Sequence, residues 1–169
     1  MVDALSKVDL ILALIICAGA YGGFKDGFIL ELISFFAIVI GVFAGFKLMA
    51  WGMVYLEREF VVDPNAAPYI AFGAVFFSVI FLANLLSKLI RPRFEKPMLG
   101  IVDQSVGAAI GFVKTAFMLS ILLWLFTSMK FYFPDGWVKG SWLLPFIADL
   151  APGTTHWLAT FIPFFEGLF

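Results

Sequence analysis

Four long apolar stretches dominate the chain, separated by short polar, glycine-rich or proline-punctuated stretches. They predict helices over residues 8–24, 27–52, 67–90 and 101–129. A helix rises about 1.5 Å per residue, so about 20 apolar residues cross a hydrocarbon layer of roughly 30 Å. YGGFKDGF, residues 21–28, holds three glycines beside Lys25 and Asp26. A connection this tight predicts that the first two helices form an antiparallel hairpin. LEREFVVDPNAAP, residues 56–68, reads as an aqueous loop in which Asp63, Pro64 and Asn65 signal a turn. RPRFEKP, residues 91–97, is expected to break the third helix with its two prolines.

The fold expected is an all-α membrane protein, with four transmembrane helices arranged as two antiparallel hairpins. Residues 1–130 form this domain. Residues 131–169 contain SWLLPFIADL and THWLATFIPFFEGLF, which are too short to cross. Segments of that length favour the membrane interface, so a short interfacial, amphipathic C-terminal helical segment is expected. The opening MVDALSKVD carries one lysine and two acids, and no small-residue cleavage site follows. This predicts a retained first helix rather than a signal peptide.

Composition supports the membrane reading. Of 169 residues, 63% are hydrophobic and 14% charged, with a mean hydropathy of +1.03. Soluble domains have about 45–50% apolar and about 25% charged residues, so too few polar groups remain here to cover a water-facing surface. The net charge of −1 argues against nucleic-acid binding. Cys17 is the single cysteine, which excludes an intramolecular disulfide, and its apolar neighbours predict a buried thiol.

Glycines four apart let helix backbones approach closely. Gly19 and Gly23, Gly41 and Gly45, and Gly107 and Gly111 therefore read as helix-packing positions. The polar candidates are Asp9, Lys25, Glu31, Asn84, Asp103 and Lys114. Asp9 and Asp103 lie in first turns, where an acid complements the helix dipole. Glu31 either reaches toward its own helix end or faces the bundle interior. Asn84 is expected to hydrogen-bond to another helix. Lys114 lies about 20 Å along its helix by rise. It either snorkels, pairs with Glu31, Asn84 or Ser78, or serves a function, since ionisable residues at membrane depth often do. Lys47 beside Trp51 and Tyr55 reads as an interfacial anchor.

Lys and Arg favour cytoplasmic loops. The turns hold Lys25, Lys88, Arg91, Arg93 and Lys96; the terminal side holds Lys7, Lys47, Arg58, Lys130 and Lys139. The totals tie, and the denser clustering places the turns in the cytoplasm, both termini outside and all five Trp toward the outer face.

Three stretches carry a resemblance to a known family. The opening VDLILALIICAGAYGGFKDGFILELISFF presents Asp9, Gly23, Lys25, Gly27, Phe28, Glu31 and Leu32. LGIVDQSVGAAIGFVKTAF presents Asp103, Gly107 and Gly111, and SWLLPFIADLAP presents Ser141 and Pro145. In this order they resemble the colicin V production protein family (CvpA). Asp26 and Gln104 depart from that pattern, the second standing where a basic residue is expected. The resemblance implies a small bacterial inner-membrane protein associated with colicin V production or export and with envelope maintenance.

No Ser/His/Asp or Cys/His arrangement, phosphate loop or set of metal ligands is apparent, and His156 has no ligand spacing. A non-enzymatic module without cofactor or metal is expected. It would lie in the lipid bilayer and pack as a homo-oligomer or with other membrane proteins. The alternative is a small oligomeric transporter or channel using its intramembrane charges.

Overall fold

The computed structural model describes residues 6–94 and 100–159. Helix α1 runs Lys7–Glu59, α2 Ala67–Phe94 and α3 Ile101–Ser128. A single turn, α4, covers Asp135–Val138, and α5 covers Leu143–Ala159. No strand occurs among the described residues.

The expected turn over residues 21–28 is far tighter than its glycines suggest. Only Gly27 leaves helical geometry, at φ 77° and ψ 174°. Side chains on L-residues essentially forbid that combination. One glycine therefore divides α1 into a first arm, residues 7–26, and a second, residues 28–59. The second arm also continues past the predicted end at residue 52. α2 likewise outlasts its predicted end at residue 90 and includes Pro92. Pro92 cannot donate to the Lys88 carbonyl four residues back, and α2 ends two residues later. The rest of the RPRFEKP break lies outside the described residues, as does the tail beyond residue 159.

α1, α2 and α3 are each long and apolar enough to cross a membrane. Their outer faces carry Leu14, Phe36, Ile40, Phe81, Leu86 and Val113, all exposed. Apolar surface on this scale suits lipid contact.

The contacts divide the chain into two compact units. The first comprises the described residues up to Ala18 and from Thr115 onward; the second is Gly19–Lys114. The sequence-based boundary at residue 130 falls inside the first unit. There, Val8, Leu12 and Ile16 form one stripe of α1 and pack with Ala116, Leu119 and Leu123 of α3 and Ile147 of α5. Cys17 sits beside this stripe and is exposed, contrary to the buried thiol expected. α3 ends where Lys130 adopts φ 61°, with Lys130 N–H donating to Thr127 O and Phe131 N–H to Phe126 O. This is a Schellman cap with lysine where glycine is usual.

In the second unit, Gly41 and Gly45 receive the rings of Phe76 and Phe72 from α2, and Gly52 meets Ala71. Between α1 and α2, Asp63 accepts from the Asn65 backbone and side-chain amides at 2.9 and 3.0 Å, forming the anticipated turn.

Candidate functional site: polar braces at helix breaks

The Gly19–Lys114 unit brings the first arm of α1 against α3 along a glycine seam. A Cβ on Gly23 would overlap the Gly107 carbonyl, and one on Gly107 would overlap the Gly23 carbonyl. A Cβ on Gly111 would stand 2.6 Å from Gly19 O. Gly19 thus faces Gly111, and Gly23 faces Gly107, as in two antiparallel backbones in contact. All six predicted packing glycines find partners within the chain, so their seams are filled without a second copy.

Asp103 closes the end of this seam. Its Oδ1 accepts from Phe28 N–H at 3.2 Å, where the second arm of α1 begins. The first amides of a helix have no intrahelical acceptor, and an acid at that end satisfies both the hydrogen bond and the dipole. Asp103 thus caps a helix other than its own. Gly27 meets this cap so closely that a Cβ would overlap the Asp103 carboxylate. Both the backbone conformation and the lack of space demand glycine there.

Glu31 lies one turn further on and is buried. Its Oε2 stands 2.5 Å from Lys114 Nζ on α3. Of the roles open to Lys114, the pairing with Glu31 is the one observed. The ammonium supplies the contact that the buried Oε2 has from no hydrogen bond. Asn84 departs from expectation: it is exposed and makes no interhelical hydrogen bond among the described residues. Lys25 is exposed, with its Nζ 5.4 Å from the centre of the Tyr21 ring. Ser34, Asn84, Ser87, Lys88 and Lys114 line a cavity of about 250 Å³ together with Asp26 and Leu30.

The first unit uses Asp9 in the same manner as Asp103. Asp9 is 2% exposed. It accepts from Ser141 Oγ, from Trp142 N–H at 3.2 Å and from Leu143 N–H at 3.2 Å. Ser141 Oγ in turn accepts from Leu144 N–H. The Ser141 and Pro145 pattern therefore marks the start of α5. The serine caps, and the proline occupies a first turn where its missing N–H costs little.

Ser120, absent from the sequence-based candidates, braces a second weak point. Pro152 within α5 cannot donate to the carbonyl four residues back, that of Ala148. Ser120 Oγ donates to Ala148 O at 3.2 Å and accepts from Ala151 N–H at 2.8 Å. The only sequence signal is a serine in an apolar run and a distant proline, and nothing in the sequence joins them. Among the described residues no group of metal-ligating side chains is present.

These features define an all-helical membrane protein whose helix breaks are held by polar side chains from other helices. The chain belongs to the colicin V production protein family, which matches residues 8–152. No curated protein and no solved structure matches the chain. The family match spans Asp9, Glu31, Asp103, Lys114, Ser120 and Ser141, which build the braces, and the breaks at Gly27 and Pro152.

Proposed function

We propose that the chain is a multi-pass protein of the bacterial inner membrane that supports colicin V production or export and envelope homeostasis as a non-enzymatic packing module. In this reading α1 crosses the membrane twice, giving four spans with both termini outside. Fifty-three residues of helix correspond to about 80 Å, far more than the roughly 30 Å of hydrocarbon. Contacts of α3 also support a reversal at Gly27. Its residues 111, 107 and 103 meet residues 19, 23 and 27, while Lys114 at the far end of that stretch meets Glu31. The C-terminal α5 then lies toward the outer interface.

One observation carries the structural role: Asp9, Asp103, Glu31 and Lys114 all engage groups on other helices. An ion-conducting path needs polar groups free to exchange partners, whereas Asp9 and Asp103 hold helix ends and Glu31 and Lys114 are paired with each other. The module would associate with itself or with other membrane proteins through surfaces other than the filled glycine seams.

The experiment is replacement of the native protein in a colicin V-producing cell, with cross-linking in native membranes. Loss of secreted colicin V on deletion, its recovery on re-expression, and a cross-linked partner would support the reading. Normal secretion without the protein would reject it. The second reading, a small oligomeric transporter or channel, draws on the polar cavity beside Lys114. Solute flux in reconstituted vesicles that Lys114→Leu abolishes without loss of fold would favour it.

A further inference from the structure

We propose that the cavity within the Gly19–Lys114 unit is a binding site for a phosphate-bearing anion. Three helices supply its walls. α1 contributes Asp26, Leu30 and Ser34, α2 contributes Asn84, Ser87 and Lys88, and α3 contributes Lys114. The positions on α1 lie four apart and those on α2 three and four apart, so each of these two helices turns one face toward the same space, and α3 adds Lys114. On helices otherwise clothed in Leu, Ile and Phe, this convergence of polar side chains requires a polar occupant.

The lining is rich in donors. Two ammonium groups, an amide and two hydroxyls face a single carboxylate, and Asp26 already has a partner of its own. Lys114 carries three donors, and Glu31 is its one ion-pair partner among the described residues. Ser87 Oγ is buried and has no hydrogen-bond partner. A buried hydroxyl left unsatisfied costs free energy, and native structures rarely tolerate it without an occupant. The volume of about 250 Å³ is several times the roughly 30 Å³ share of one water.

The required occupant is compact, anionic and able to accept from several directions at once. A tetrahedral phosphate meets these demands because its oxygens diverge toward donors on all three helices. A planar carboxylate accepts in one plane only. The same chemistry is offered by free inorganic phosphate and by the phosphodiester of a lipid headgroup, whose acyl chains would lie along the exposed apolar faces of α1 and α2.

Native mass spectrometry of the full chain in detergent tests the site. One arm titrates inorganic phosphate, the other dioctanoyl phosphatidylglycerol. Saturable binding in either arm is expected. Lys88 is exposed, so Lys88→Gln should preserve the fold while weakening binding about tenfold, the loss of one charge-assisted hydrogen bond. Ser87→Ala should weaken it as well, and Ser78→Ala, outside the lining, should not. Where Ser87→Ala fails to accumulate, Asn84→Ala takes its place, since Asn84 is exposed. Binding in the phosphate arm alone assigns a free ion, and tighter binding in the lipid arm assigns a headgroup. Absence of saturable binding in both arms, or unchanged affinity in Lys88→Gln, overturns the proposal.

Discussion

Lys114 Nζ stands 2.5 Å from the Glu31 carboxylate, joining the second arm of α1 to the middle of α3. The acid is 3% exposed and the base 21%. Removing one member strands the other in a low-dielectric setting, whereas removing both leaves no orphan charge. Glu31→Leu alone is expected to cost about 3 kcal/mol. The Glu31→Leu/Lys114→Met double variant should cost less than either single change. A double-mutant cycle of unfolding in detergent measures this coupling.

Gly27 and Gly22 lie in the same short stretch and should respond differently to alanine. Gly27 has φ 77°, and a Cβ there would overlap the Asp103 carboxylate; Gly22 has nothing within 4 Å. Gly27→Ala should destabilise by at least about 1–3 kcal/mol, while Gly22→Ala should be neutral or slightly stabilising. Thermal unfolding of the two variants side by side gives the comparison.

Ser120 and Pro152 should be energetically coupled. Ser120→Ala leaves the Ala148 carbonyl without the donor that replaces the missing proline N–H, at a cost of about 1 kcal/mol. Pro152→Ala restores a backbone donor to that carbonyl, so Ser120→Ala should cost less in that background. Hydrogen exchange of the α5 amides reports the local effect directly.

Asp9 should protect the start of α5 in a comparable way. Asp9→Ala is expected to lose about 1–2 kcal/mol, with faster exchange at the amides of Trp142 and Leu143, which it accepts from. Unchanged exchange at both amides would count against the cap.

The apolar runs made the helices legible because lipid-facing and packing positions both demand apolar residues. The helix expected over residues 101–129 runs Ile101–Ser128, and each glycine pair lies where another helix comes close. The partner of each pair was not legible, because a Gly-x-x-x-Gly step records closeness and not what comes close. The break at Gly27 was hidden among Gly22 and Gly23, which share its composition but remain helical. Asp9 and Asp103 read as first-turn acids of their own helices, which they are. That each caps another helix depends on contacts across the fold, to Ser141 and to Phe28. Asn84 misled for the opposite reason: an amide in an apolar run suggested a clamp, yet its face of α2 opens onto a cavity.

The charge-swapped protein Glu31→Lys/Lys114→Glu tests most directly whether the intramembrane charges act as a brace. Membrane abundance and secreted colicin V should be measured together, in cells carrying the swap or either single change. A brace needs opposite charges and not their order, so each single change should lower both quantities and the swap should restore both. A swapped protein that stays as scarce as the single variants would contradict the brace.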